Sequence, residues 1–332
     1  MKDKIYLQWH ITDACNFRCR HCYQSGFSGD SELGLADLIK VYGNIISGSE
    51  DKKIAISLTG GEPLLKKDFF DLLYYLDKQP NTDELSVISN ASLIDEAALK
   101  RLNAAKKMRR VKISLDAATA RTNDAIRKFG AFDMIMKKIS LIKEKSDLEL
   151  VLMFTVMRSN LYELPVLFQL CRDLNVDGLM IERFIPLGQS AGLRREVLDK
   201  DDWKRAVGDI SEFLGISVED CDALPCKAFW LKFRGIGSEL LTAECDLGED
   251  SFAILPGADI LPCRRFALRI GNLLERDLAG IAKDSSVLKD IADRNKLKGK
   301  CGSCGIGNCR GCRALAYAIS GDYLAEDIQC WI

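Results

Sequence analysis

Six short β-rich runs, each followed by a helical pattern, fill the first 185 residues and constrain the fold more than any other feature of the chain. The runs are Ile5–Ile11, Ile54–Thr59, Leu85–Ser89, Val111–Leu115, Leu148–Val156 and Gly178–Arg183. Most are apolar on both faces, as strands must be when helices cover both sides of a parallel sheet. Amphipathic segments lie between them, such as Asp68–Lys78, where Phe69, Leu72, Leu73 and Leu76 share one face. This alternation predicts an α/β chain built as an open, partial (β/α)6 TIM-type barrel rather than a sandwich.

The period breaks after Pro186-Leu187-Gly188. A helix is expected around Asp202–Leu214, and from Cys221 onward cysteines and glycines are dense and strand runs short (Phe252–Leu255, Asp259–Leu261). The chain has 332 residues, 47% of them apolar, enough for a large core or two moderate ones. The division expected is residues 1–200 as the barrel and 201–332 as a bridging helix with a smaller cysteine-rich α+β domain. Neither internal repeats nor low-complexity tracts are present.

Lys plus Arg number 47 and Asp plus Glu 48, a net charge of −1 that gives no general pull toward nucleic acid or an anionic membrane. The one basic run, Lys106, Lys107, Arg109 and Arg110, reads as a solvated helix end. Met1–Tyr6 is polar and charged, no signal peptide is visible, and no apolar run is long enough to span a bilayer. A cytoplasmic location is expected. In that reducing compartment thirteen cysteines point to thiolate-bound metal rather than disulfides.

The first strand runs into Thr12-Asp13-Ala14-Cys15-Asn16-Phe17-Arg18-Cys19-Arg20-His21-Cys22-Tyr23. Three thiolates on one loop can meet at one site, and three is one short of the four that close a structural zinc or a purely redox cluster. An iron left open in this way is a Lewis acid for a small chelating ligand. The strand also delivers the loop to the carboxyl end of the sheet, where α/β folds place ligands. A zinc knuckle borrowing His10 or His21 is the bland alternative.

CxxxCxxC on the first loop resembles the signature of the radical S-adenosylmethionine (radical SAM) superfamily. The resemblance implies that Cys15, Cys19 and Cys22 bind a 4Fe–4S cluster whose fourth iron chelates S-adenosyl-L-methionine, and that reductive cleavage yields a 5′-deoxyadenosyl radical for hydrogen abstraction. Thr59-Gly60-Gly61-Glu62-Pro63 after the second strand resembles the family's GGEP turn, with Glu62 toward the methionyl amine. Ser89-Asn90 is similar to its ribose-facing pair, and Ser114-Leu115-Asp116 with Arg127 to its SLDG…R pattern, although Ala117 stands where glycine is usual. By the same resemblance His21 and Tyr23, flanking Cys22, lie near the cofactor. A helix cap or surface pair is the competing role for Asn90, Ser114, Asp116 and Arg127.

The last third carries Cys245, Pro256–Cys263, Gly271-Asn272, then Cys301, Cys304, Cys309, Cys312 and finally Cys330. Two CxxC pairs can each grip a metal, and on spacing alone a zinc ribbon of Cys301, Cys304, Cys309 and Cys312 is as good a reading as a cluster. That ribbon would leave Cys245, Cys263 and Cys330 without a role. The whole segment resembles the SPASM extension of radical SAM enzymes, which binds one or two auxiliary 4Fe–4S clusters. The resemblance implies Cys301, Cys304, Cys309 and Cys330 on one cluster and Cys245, Cys263 and Cys312 on the other, with Cys221, Cys226 or no protein ligand completing the second. Gly257-Ala258 replaces the family's Asp-Gly, and the knuckle gaps are short. Cys171 reads as a small hydrophobe on an apolar helix face.

Enzymes of this type mostly modify ribosomal peptides, and others act on tetrapyrroles or further small cofactor precursors. An oxidative peptide maturase is expected, with tetrapyrrole or small-molecule chemistry second and an iron–sulfur electron carrier third. The GGEP turn speaks against a carrier, which has no methionyl amine to bind. The first strand begins by residue 5, so no N-terminal leader-binding domain is expected. Recognition would fall to a separate protein, a leaderless peptide or a small molecule. Flavodoxin or ferredoxin is the electron donor implied.

Overall fold

The computed structural model describes residues 4–48, 51–217, 228–234, 237–243, 245, 247–306 and 309–332. The six expected strands are β1 (Lys4–His10), β2 (Lys53–Thr59), β3 (Thr82–Ser89), β4 (Met108–Ser114), β5 (Glu149–Val156) and β6 (Gly178–Arg183). The helices between them are α1 (Leu35–Ile46), α2 (Phe69–Lys78), α3 (Glu96–Asn103), α4 (Ala120–Ile126), α5 (Ala131–Lys145) and α6 (Leu164–Asp173). β1 to β6 pair in sequence order and all in parallel, the singly wound topology of a (β/α)6 partial barrel.

Their apolar runs form one core. Ile54, Leu58, Leu85, Val111, Leu150 and Leu179 are buried to 1% exposure or less, and Phe69, Leu72, Leu73 and Leu76 of α2 close over them as their spacing predicts. Cys171 on α6 is fully buried in the same core, the small-hydrophobe role expected of it. The basic run 106–110 differs from expectation. α3 ends at Asn103, and Arg109 and Arg110 already belong to β4, where Arg110 pairs with Glu84 and Glu149. Cross-strand carboxylates, absent from the local sequence, make a strand edge of what reads as a helix end.

After β6 come α7 (Lys200–Leu214), the antiparallel hairpin β7 (Ala228–Arg234) and β8 (Gly237–Ala243), then β9 (Ser251–Ile254), β10 (Asp259–Leu261) and β11 (Gly271–Asn272). α8 (Leu278–Asp284), α9 (Ser286–Ala292), α10 (Gly299–Ser303) and α11 (Arg313–Ser320) complete the chain. These strands do not make a separate sheet. β7 extends the barrel beyond β6, and β9 pairs in parallel with β1, giving the order β11-β10-β9-β1-β2-β3-β4-β5-β6-β7-β8. A second core joins Ile126 at the end of α4, and Met157, Phe184 and Ile185 of the barrel loops, to Phe266, Ile291, Ala314 and Leu315. The cysteine-rich segment is thereby packed across the carboxyl end of the barrel.

Candidate active site

Strand β1 ends at His10, and the following loop is held from two sides. Gly61 N donates to Thr12 O (2.9 Å) and Glu62 N to Ala14 O (2.8 Å), stitching the GGEP turn to the cysteine loop. The approach is so close that a Cβ on Gly60 would stand 2.2 Å from Thr12 O, and one on Gly61 2.3 Å from Ala14 O. Only glycine fits, and Gly60 has a φ of 151° besides. From the other side Gln189 N donates to Gln24 O (2.8 Å) and Ser190 N to Cys22 O (3.1 Å). The Gln189 amide reaches Cys19 O at 2.9 Å. Gly188, at a φ of 59°, lets this strap press against Tyr23 O.

So fixed, Cys15, Cys19 and Cys22 line one open cleft. His21, Tyr23, Gly60, Gly61, Asn90, Ser114 and Arg127 line it too. Backbone and side-chain donors face the sulfurs: Phe17 N to Cys15 Sγ and Gln24 N to Cys22 Sγ at 3.4 Å, Asn90 Nδ2 to Cys15 Sγ and Arg127 Nη1 to Cys19 Sγ at 3.9 Å. Burial pushes all three thiols up, Cys19 to about 12, so each holds its proton until a metal displaces it. Among the described residues no three His, Cys, Asp or Glu side chains converge on a single ion.

Glu62, Pro63 and Asp116, also expected at the cofactor, do not line the cleft. Pro63 is buried and starts a 3-10 turn. Asp116 is buried and organises the wall. Its Oδ1 accepts from Thr155 N (2.9 Å), and its Oδ2 faces Arg127 Nε at 2.7 Å and His21 Nε2 at 3.3 Å. Burial lowers the His21 pKa despite that carboxylate, which keeps the ring neutral near pH 7. Tyr23 packs edge-on to His10 at 5.9 Å and under Arg264 at 4.3 Å. Burial carries its phenol to about 12.

The Glu62 carboxylate is fully buried and accepts from Ser89 Oγ (2.9 and 3.0 Å), Asn90 N (2.8 Å) and Leu64 N (3.3 Å). It ties β2 to β3 and retains lone pairs for one further donor. Desolvation, only partly offset by those bonds, raises its pKa from 4.5 to about 7. Between these values the folded chain therefore holds a proton that the unfolded chain has lost. Stability of the cluster-free chain should be fully present below pH 4.5 and fall by on the order of 3 kcal/mol as pH rises through 7. Urea titrations of parent and Glu62→Gln across this window check it: the slope should disappear in the variant, and an unchanged slope would assign it to other groups.

In the C-terminal segment Cys263 and Cys312 share the second core, and their charges interact. Cys301 Sγ accepts from Asp327 N and Arg313 Nη2, both at 3.4 Å, and lies within electrostatic reach of Cys330. Asp327 Oδ2 takes Cys312 N (2.8 Å) and Arg183 Nη1 (2.7 Å), so one buried carboxylate connects both cysteine groups to β6. Cys245 is exposed, and Cys304, Cys309 and Cys330 are half-buried. Cys221 and Cys226 lie outside the described residues.

The motifs did not point to several residues of the cleft: Gln24, Thr155, Phe184, Ile185 and Arg265, together with the strap at Gly188. Arg265 alone had an available signal, its place two residues after Cys263.

A parallel partial barrel whose first loop sets three thiols in an open cleft, beside a turn that only glycine can form, defines an enzyme built around a thiolate-held cluster and a small ligand. Residues 9–164 match the radical SAM superfamily, so the chain carries a radical SAM domain and is a radical SAM enzyme. It is 27% identical to the AdoMet-dependent heme synthase of Nitratidesulfovibrio vulgaris over 98% of this chain and 91% of that one. It is 28% identical to the mycofactocin maturase MftC of Mycobacterium tuberculosis, over 98% and 82%. SuiB of Streptococcus suis, solved with its precursor peptide SuiA, shares the fold over 99% of this chain and 76% of that one, at a TM-score of 0.74 and 16% identity. Among the described residues no helix is long and apolar enough to cross a membrane.

The residues present fit the family's cluster and cofactor: three thiols free of disulfides, N–H donors at each sulfur, and a backbone cradle in which any Cβ would collide. When bound, a 4Fe–4S cluster with one iron free of thiolate supplies the coordination site and the electron for S-adenosylmethionine cleavage. Cys15, Cys19 and Cys22 would hold that group, and Asn90, Ser114 and Arg127 line the same cleft.

Proposed function

We propose that the enzyme oxidatively modifies a ribosomal peptide, using Cys15, Cys19 and Cys22 for the radical-generating cluster and the C-terminal cysteines for two auxiliary 4Fe–4S clusters. The observation that carries this reading is the placement of the cysteine-rich segment over the mouth of the cleft through the second core. A peptide entering there would lie between the two cysteine systems. The pairings of Cys301 with Cys330 and of Cys263 with Cys312 support the division of ligands expected from the sequence, with residues 201–332 as the auxiliary-cluster part. Glu62, Pro63, Asp116, His21 and Tyr23 serve the cofactor site from its wall. An acidic one-electron donor protein, flavodoxin or ferredoxin, would reduce the first cluster, in a reducing compartment such as the cytoplasm.

The likeness to the heme synthase over nearly the whole chain favours a second reading, radical modification of a tetrapyrrole. Anaerobic incubation of the reconstituted enzyme with S-adenosylmethionine, reductant and either cell-extract peptides or iron porphyrins separates the two by the mass change of the product. The same preparation should contain about twelve irons per chain, from three 4Fe–4S clusters. A content near four irons with stoichiometric zinc would replace the auxiliary clusters by a zinc ribbon.

A further inference from the structure

We propose that Arg265 is the carboxylate-binding residue of the cleft, placed to take an acidic group of the molecule on which the enzyme acts. The inference rests on the enzyme reading above but is independent of the choice between peptide and tetrapyrrole.

Among the described residues two cations line the cleft, Arg127 and Arg265. Arg127 is committed to the wall: its Nε is on Asp116 and its Nη1 on Cys19 Sγ, and the residue is 8% exposed. Arg265 comes from the C-terminal segment, on the turn that follows Cys263 and closes through Phe266 N to Cys263 O (2.9 Å). Glu182 of β6 holds it by Nη2, which uses one of the five N–H donors of a guanidinium. Its side chain keeps 21% exposure and faces the cleft. Its charge is felt by His21 and Tyr23 on the cysteine loop and by Cys263 behind it. Arg265 thus stands between the two cysteine systems, where a substrate must lie to meet both. Arg264 beside it, over the Tyr23 ring and with no hydrogen bond at its buried Nε, adds a second positive charge.

A planar guanidinium oriented by one carboxylate and open on its other edges is suited to a second, incoming carboxylate, which it can grip with two parallel bonds. A peptide C-terminus and a tetrapyrrole propionate both carry that group. The methionyl carboxylate of the cofactor is the competing claimant, and the test separates it.

Probe binding to the anaerobically reconstituted chain with S-adenosylmethionine is measured in two arms. One uses a hexapeptide library lacking Asp and Glu, with free or amidated C-termini, read by mass spectrometry. The other uses a tetracarboxylate porphyrin and its tetramethyl ester, read by absorbance. In at least one arm the parent should bind the acid about tenfold more tightly than the neutral form. Arg265→Met should abolish that preference and Arg265→Lys restore part of it, with the affinity for S-adenosylmethionine changed by less than about threefold. A preference in the peptide arm identifies a C-terminus as the group bound, and one in the porphyrin arm a propionate. Because Arg265→Met leaves the Glu182 carboxylate without its partner, Arg265→Met/Glu182→Gln is measured beside it. Equal binding of acid and neutral forms in both arms would overturn the proposal. So would a loss of S-adenosylmethionine affinity in Arg265→Met that matches the loss of probe, since Arg265 would then serve the cofactor. Failure of the parent to form 5′-deoxyadenosine would count against the enzymatic reading instead, because probe binding does not require cleavage.

Discussion

A chain in which Cys15, Cys19 and Cys22 are all alanine should form no 5′-deoxyadenosine from S-adenosylmethionine above background, even after anaerobic reconstitution and with excess reductant. Among the described residues, these three are the only cysteines that line the cleft. Of the C-terminal cysteines, Cys263 and Cys312 pack against the second core, and none of those described lines the cleft. They should still take up iron in the triple variant, so that metal content falls by about a third while cleavage stops. Product analysis by chromatography and iron assay on the same sample check both halves. Cleavage at the parent rate would remove the first loop from the chemistry altogether. Folding is no obstacle, because Cys15, Cys19 and Cys22 are only partly buried at the edge of the main core.

The second large effect is expected from a single methyl group. In Gly61→Ala the new Cβ would need the space of Ala14 O, and in Gly60→Ala that of Thr12 O, both backbone atoms that no side-chain rotation can move. Relief requires breaking the bonds from Gly61 N to Thr12 O and from Glu62 N to Ala14 O, which release the cysteine loop from β2. Each substitution should cost about 3 kcal/mol or more and bring cluster retention at the first site close to zero. Gly192→Ala, where a Cβ meets nothing within 4 Å, should behave as the parent in both measurements. Denaturant midpoints and iron per chain decide it. A Gly61→Ala protein with parental midpoint and iron content would mean that the turn and the loop are not in contact.

Much of this was readable along the chain because its causes are local. Each of the six barrel strands lies within a few residues of its expected limits, since an all-apolar run between amphipathic helices has few alternatives. Three cysteines within eight residues, and the Gly-Gly pair after the second strand, are likewise features of contiguous sequence. Asp116 shows where that legibility ends. Its motif marked it for the cofactor, but its side chain turns into the wall and aligns Arg127, His21 and Thr155 N. That orientation depends on groups eleven, ninety-five and thirty-nine residues away in sequence.

The sequence by itself determined the parallel barrel, the thiolate loop, the glycine turn after the second strand, and the membership that follows from them. Only the tertiary structure decided that β9 would join β1 and that the hairpin β7–β8 would extend the other edge. The same is true of the strap at Gly188 locking Tyr23, and of Arg265 reaching the cleft from beside Cys263. The physical reason is the range of the forces involved. Periodicity and steric need are written residue by residue, whereas an open sheet edge accepts any strand with free N–H and C=O groups, and a partly buried arginine goes where a carboxylate such as Glu182 meets it.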